Sequence, residues 1–573
     1  MNKIKFVNIL ESALGFKINQ PDIMKEYFKK LLSVAVWITA VYFSIASASS
    51  QALWVTAKNN KDFLKISTLF IAQDVRDFLS TPAGLDNAVN WCKQTGITRV
   101  FIESFRGGYY ADREAMIRAK ERFLKEGFDV AGCVTTVKVG KPGSGGWGMI
   151  SCYTSKKSTD ELEKIFKETA SIFDLIMIDD FLFTECCCED CVAARGDQSW
   201  SKFRCDLMVS TSREHILKPA KAVNPNVKII IKYPLWYDSF QDRGYEVVRE
   251  SKDFDFTWIG TETRDYDYDV RPGGDAQYNA YFISRWINLV SGGKNGGGWV
   301  DALGTTPKFY LEQARQTVLG NEREIMLFHY GSLQDKTNEY DGKPGTPLAD
   351  IEAFRKELPG LFELAKIVKD KPIMGIHMPK LPNSEPVNEQ YIFSFLGMLG
   401  LPLVPDNEIN TSATSAIFTV HALKEPGFSD KLQTMLNAGN PVVITDGLAV
   451  LLSNQTLLDN KNLTVLKVGK DPKKLLKLSR EELKPLRDKL LAPLGMKFDA
   501  PNKVSLYLLG SNYIVIENFN DIKVDATLDL PVVTEIHKTL LLPEDGIATL
   551  SQNKNSVSIK DLSPRALVVF QYK

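Results

Sequence analysis

The chain has 573 residues, 44% hydrophobic and 24% charged, which is ordinary globular material with room for a large core and several domains. Lys+Arg and Asp+Glu both number 70, so the formal charge is zero and there is no basic excess of the kind a nucleic-acid partner calls for. Five histidines, with no G-x-S-x-G or H-E-x-x-H sequence, leave little for an ester- or amide-cleaving triad or a catalytic zinc.

Residues 1–52 read as an upstream extension and a signal peptide. Lys25, Lys29 and Lys30 precede an apolar run from Leu31 to Ile45, and Ala46-Ser47-Ala48 supplies an A-x-A cleavage site, so the signal core is 24–48. The run is shorter than the roughly 20 residues a membrane span needs. No stable span is expected, and the mature protein is expected to be periplasmic or secreted. There both disulfides and metal binding are open to the eight cysteines.

From residue 60 to 369 strand and helix patterns alternate. Strands are expected over Lys65–Gln73, Arg99–Phe105, Phe128–Thr136, Leu175–Ile178, Val227–Tyr233, Phe254–Gly260, Gly297–Asp301 and Glu324–Tyr330, the seventh being the least distinct. Helical spacing is clearest over Gly84–Thr95, Arg113–Glu126 and Thr159–Ala170. Eight strands with crossovers too long for hairpins, spread over about 270 residues, predict a (β/α)8 TIM barrel. Residues 370–499 alternate again on a smaller scale and predict an open α/β, flavodoxin-like unit with a structural or oligomerisation role. Residues 500–573 lose the helical period and predict a compact antiparallel β-sandwich.

In such a barrel, chemistry sits at the C-terminal ends of the strands. The acidic residues there are few: Glu103 on strand two, Asp179 and Asp180 on strand four, Glu262 and Asp265 on strand six, and Asp301 on strand seven. Cleaving a glycosidic bond requires two carboxyl groups, one to protonate the leaving oxygen and one to act as nucleophile or to activate water. Asp180 and Glu262 are the expected pair, with Asp179 orienting Asp180 or binding a sugar hydroxyl. Crowded carboxylates raise one another's pKa, and the threonines and arginine around Glu262 offer donors that favour its ionised form. Glu103, Tyr233, Trp236, Arg264, Trp299, Asp301 and His329 are candidate sugar contacts. The chemistry needs no organic cofactor, and the expected partner is a carbohydrate.

Cys186-x-Cys188-x-x-Cys191, joined by Cys152 from the preceding loop, has the spacing of a structural zinc site; a disulfide within the cluster and free buried thiols are the alternatives. The order barrel, small α/β unit, short sandwich, with this cysteine segment after a strand-four acid, resembles the family 42 β-galactosidases of clan A. That resemblance implies a zinc held by these four cysteines, an acid/base at Asp180, and a trimer or other homo-oligomer formed through residues 370–499. The pattern departs from clan A in having Asp179-Asp180 rather than Asn-Glu, and in offering only Asp301 where a strand-seven Glu acts as nucleophile. A strand-four Asp paired with a strand-six acid also resembles the α-galactosidase and α-glucosidase clans, in which the strand-four Asp is the nucleophile, so the two roles stay open.

Overall fold

The structure is a computed structural model that describes residues 52–145, 150–264 and 276–573. The signal-peptide reading, the end of the Gly-rich loop after Gly140, and Asp265 fall outside them. Eight parallel strands, β1 (Lys65–Phe70), β2 (Arg99–Arg106), β3 (Asp129–Thr135), β4 (Leu175–Ile178), β5 (Lys228–Tyr233), β6 (Phe256–Gly260), β7 (Asn295–Asp301) and β8 (Glu324–Phe328), pair in sequence order, and β8 pairs with β1 to close the barrel. The order and number are those expected from the sequence.

Alternation along each strand separates two cores. Leu69, Phe101, Ala131, Cys133, Met177, Ile230, Trp258, Trp299 and Met326 point inward and fill the barrel. Their neighbours Phe70, Val100, Ile102, Val134, Ile178, Ile231 and Ile259 belong to the outer core under the helices. The indistinct seventh strand has a physical cause. Trp258 occupies the interior beside it, and a Cβ on Gly297 would lie 2.7 Å from the Trp258 ring, so this strand is built of glycine where others carry branched side chains.

The helices begin where the sequence supplies caps. Thr81 accepts from the Gly84 N–H ahead of helix Pro82–Gln94, and Asp112 accepts from the Ala115 N–H ahead of helix Arg113–Lys125. The long helix Pro347–Val368 completes the barrel wall and carries Glu357, whose buried carboxylate pairs with Arg315 of the preceding helix.

After the barrel, five strands form a parallel sheet in the order Leu403–Asp406, Ile376–Pro379, Ala416–Phe418, Val442–Thr445, Leu463–Leu466. In chain order this is 2-1-3-4-5, the flavodoxin-like arrangement; the fifth strand is additional to those read from the sequence. Two antiparallel sheets of five and four strands follow as the sandwich, and the short strand Ile373–Met374 joins the larger of them by pairing with Val504–Leu509. Among the described residues no helix is long and apolar enough to cross a membrane.

The loop after β5 plugs into the parallel sheet at the ends of its strands. Asp238, 3% exposed, takes the His421 Nε2 at 3.0 Å, the Lys380 Nζ at 3.3 Å and the Tyr391 N–H at 2.7 Å. Burial alone would raise the Asp238 pKa, but His421 and Lys380 hold it below the usual carboxylate range. Asp238→Ala leaves a buried lysine and histidine without their anion, and we expect it to cost about 3–5 kcal/mol, read as a lower denaturant midpoint. An unchanged midpoint would show that the loop does not depend on this ion cluster.

Candidate active site

The apolar floor of the barrel ends one residue below the strand tips, and the next inward positions are polar. On β2 the inward register runs Phe101, Glu103; on β3 Cys133, Thr135; on β4 Met177, then Asp179; on β5 Ile230, Lys232. Regular pairing of β4 stops at Ile178, so the chain turns and Asp180 reaches the same space as Asp179 instead of the opposite face. Asp179 is 2% exposed and its Oδ1 accepts the Asp180 N–H at 2.8 Å.

Lys232 stands at the centre of the group. Its Nζ lies 2.8 Å from Asp180 Oδ2, 3.4 Å from Glu262 Oε1 and 3.5 Å from Asp179 Oδ1, and it sits 4.1 Å from the centre of the Trp299 ring. Arg106 forms the other cationic contact, with Nε 2.8 Å from Glu103 Oε2 and Nη2 2.8 Å from Asp179 Oδ2. Thr135 Oγ1 joins the same two acids, at 2.5 Å from Glu103 Oε1 and 3.1 Å from Asp179 Oδ2.

These contacts give the two adjacent aspartates opposite characters. Burial would raise Asp179, but Lys232 and Arg106 outweigh it and hold its carboxyl down at about 2. Asp180 is pushed up to about 8 by burial, reinforced by the charges of Asp179 and Glu262 and only partly offset by Lys232. At neutral pH one is an anion and the other holds a proton.

Glu262 is 7% exposed, with Oε1 on Lys232 and Oε2 buried without a partner among the described residues. Two of the donors expected beside it in the sequence serve other groups. Thr261 Oγ1 goes to the Trp299 carbonyl, and Arg264, in a left-handed conformation at φ 52°, binds Asp301 Oδ2 at 2.7 Å. Asp301 therefore pairs with an arginine at the rim and stands apart from Lys232.

Three candidate sugar contacts need correction. Tyr233 is wholly buried in the outer core, because it follows the inward Lys232 by one residue; its ring packs on Phe240 and Tyr245. Glu103 is enclosed and spent on the Ala72 N–H, Arg106 and Thr135, so it braces the site from below. Trp299 is nearly buried in the barrel interior, with its ring against the Lys232 ammonium and packed on Phe328. His329 and Trp236 stay partly exposed at the rim, His329 with Nδ1 2.7 Å from Asp74 Oδ2 and Trp236 under the Arg243 guanidinium.

The four cysteines converge beside this mouth. All eight cysteines are free thiols, and the Sγ atoms of Cys152, Cys186, Cys188 and Cys191 lie within 4.8 Å of one another. Cys152, Cys188 and Cys191 are mutually separated by 3.7 Å. A tetrahedron of sulfurs with arms of about 2.3 Å has edges of about 3.8 Å, so the spacing fits a four-thiolate zinc site. The Ser144 N–H points to Cys186 Sγ at 3.5 Å and Thr154 Oγ1 lies 3.2 Å from Cys191 Sγ, the outer hydrogen bonds that stabilise thiolates.

Lys232, Arg106, Thr135 and Asp74 were not singled out from the sequence. The signal for Lys232 was available: it is a charge on the inward register of an otherwise apolar strand, two residues beyond Ile230.

Comparison with known proteins agrees with the fold. An α-L-fucosidase isoenzyme 2 from Paenibacillus thiaminolyticus superposes with a TM-score of 0.58 at 10% identity, covering 89% of this chain and 99% of that one. A β-galactosidase from the Antarctic haloarchaeon Halorubrum lacusprofundi gives 0.54 at 11% identity over the same shares. In sequence, Uncharacterized protein SSO3021 of Saccharolobus solfataricus is 27% identical over 356 residues, 56% of this chain, and the chain spans 56% of that relative's length. Residues 51–347, just over half of the chain, match the family model described as a probable glycosyl hydrolase catalytic domain, and the chain belongs to that family.

Proposed function

We propose that the chain is an exported, retaining glycoside hydrolase in which Asp180 is the proton donor and Glu262 the nucleophile, acting on galactoside-type oligosaccharides or polysaccharide side chains. The observation that carries the reading is the shared contact with Lys232. Asp180 Oδ2 and Glu262 Oε1 lie 2.8 and 3.4 Å from one nitrogen, so even in a straight line they are no more than 6.2 Å apart. Inverting enzymes need roughly 6.5–9.5 Å between their carboxyl groups to seat a water, whereas about 5–5.5 Å suits direct attack. Glu262 attacks the anomeric carbon as the glycosidic C–O bond breaks and the leaving oxygen takes the Asp180 proton. Water then yields a proton to Asp180 and cleaves the glycosyl ester on Glu262, which restores both groups. The raised pKa of Asp180 supports its assignment as donor, and the galactoside preference rests on the family 42 resemblance.

Hydrolysis of a panel of α- and β-linked aryl glycosides, with the first-formed anomer followed by NMR, tests this. Wild type is expected to give net retention on one of them, and Asp180→Asn and Glu262→Gln are each expected to lose about 10²–10⁴-fold in kcat/KM. Because the folded state holds the Asp180 proton more tightly than the unfolded chain, the group's contribution to stability declines as pH rises from about 4 to about 8. Asp180→Asn should therefore melt above wild type at pH 8, with the gap closing towards pH 4. A variant that loses stability at pH 8 as well as activity would mark Asp180 as a structural partner of Lys232. Silence across the panel with glycan binding retained would favour a non-catalytic glycan-binding barrel.

Export is proposed from the Lys25–Ala48 pattern. The protein recovered from the periplasm or medium is expected to begin just after Ala48, and recovery only from the cell interior with an intact leader would overturn it.

We also propose that Cys152, Cys186, Cys188 and Cys191 hold one structural zinc, since four thiolates leave no open position for chemistry. Elemental analysis should find about one zinc per chain, lost in Cys152→Ser along with several degrees of melting temperature. Metal-free protein with four titratable thiols and an unchanged melting temperature in Cys152→Ser would leave the cluster as packed free cysteines.

A further inference from the structure

Arg106 is occupied by Glu103 and Asp179, and Arg264 by Asp301. Among the described residues this leaves Lys232 as the one cation within 4 Å of both Asp180 and Glu262. It is 2% exposed on a strand where it follows three isoleucines, its ammonium lies against the Trp299 ring, and its three N–H bonds face three carboxylates. None is left over for a sugar hydroxyl. Whatever it contributes passes through the acids.

We propose that Lys232 is a positioning residue for the reaction: its simultaneous contact with Asp180 and Glu262 sets their separation, and its charge steadies the acid that must give up a proton. This rests on the reading of Asp180 and Glu262 as the reacting pair. The acids against the ammonium are Asp179 and Asp180 after β4 and Glu262 after β6, with the Cys133 thiol of β3 nearby; Arg106 and Glu103 of β2 reach it only through Asp179, and Arg264 and Asp301 pair with each other. The Tyr245 hydroxyl adds a dipole by donating to the Asp180 carbonyl at 2.6 Å. Burial would make the Lys232 amine easier to deprotonate, but Asp180, Glu262 and Asp179 together raise it above an ordinary lysine, so it stays an ammonium throughout the working range. A fixed cation beside Asp180 favours its ionised form, so removing it makes Asp180 slower to give up its proton, an effect that points towards alkaline pH.

The test is the pH profile of kcat/KM for Lys232→Met and Lys232→Arg beside wild type, on the aryl glycoside that wild type cleaves, with near-UV circular dichroism as the check on folding. The alkaline limb of the Lys232→Met bell, which reports Asp180, should move alkaline by about one unit or more, with the rate at the wild-type optimum down at least tenfold. Lys232→Arg keeps the charge but spreads the acids, so its limbs should stay within a few tenths of a unit of wild type while kcat falls. A folded Lys232→Met whose limbs coincide with those of wild type overturns the inference. Should Met not fold, Lys232→Gln is read in the same way; should neither neutral variant fold, an Arg bell displaced by a unit overturns it and an undisplaced one upholds it. The two readings fail separately. If Asp180→Asn and Glu262→Gln remain active, the reacting pair is wrong. If they are inactive and the Lys232→Met bell is unmoved, only the role of Lys232 is wrong.

Discussion

A single ammonium group buried at the mouth of the barrel determines how every charge around it is arranged. An isolated ion in an apolar interior is far too costly to keep, so a buried lysine must be matched by anions with good geometry. Lys232 rests on a floor of Ile230, Met177, Trp258 and Met326 and against the Trp299 ring, and it meets that demand with three carboxylates. Three acids around one cation leave negative charge in excess. Counting Glu103, four acids then meet two cations, Lys232 and Arg106, and the proton that Asp180 keeps lessens the excess. The contrast between Asp179 and Asp180 thus follows from burial and from the cations each one meets in a closed space.

One distant part of the chain reaches the backbone of Asp180 directly, and two others steady the segments beside it. Tyr245, in the loop after β5, donates to the Asp180 carbonyl, and Arg243 of that loop binds Glu185 at 2.6 Å, one residue before the first clustered cysteine. The same loop is anchored at Asp238 to Lys380 and His421 of the parallel sheet. The cysteine cluster therefore fixes the segment that leaves Asp180, and the α/β unit fixes the loop that covers it. A strand end alone would leave a terminal carboxylate free to rotate; here the loop on either side is held by packing and ion pairs that lie outside the barrel.

Much of this was legible in the sequence, because the features that matter are periodic or local. The eight strands, the Asp179-Asp180 pair at the end of an apolar run, Glu262 and the cysteine spacing all follow from alternation and composition. What escaped the sequence was pairing across the barrel. Glu262 was expected to draw on the threonines and arginine beside it, yet its donor is Lys232 from the adjacent strand, since Arg264 turns away to Asp301 and Thr261 to the Trp299 carbonyl. Tyr233 looked like a rim residue because it ends a strand, but the register that sends Lys232 inward sends it outward. The strand Leu463–Leu466 was passed over because four residues after a polar turn carry too short a pattern to separate from a loop.

The position of the acids on β4 and β6, instead of across the mouth, explains why a lysine belongs between them. Neighbouring strands lie about 4.7–4.9 Å apart, so the tips of β4 and β6 are separated by roughly twice that, with β5 between. An aspartate and a longer glutamate leaning towards each other shorten this gap, and Lys232 between them meets both. A neutral side chain on β5 would leave two carboxyl groups facing each other across an apolar hole, and they would relieve the repulsion by turning away or by sharing one proton. A cation on β5 removes the repulsion and holds the gap. The acids of strands four and seven in clan A lie further around the barrel and have no single intervening strand from which one residue could bridge them. Asp301 on β7 is accordingly free to pair with Arg264 at the rim, while the acid on β6 occupies the place beside Asp180.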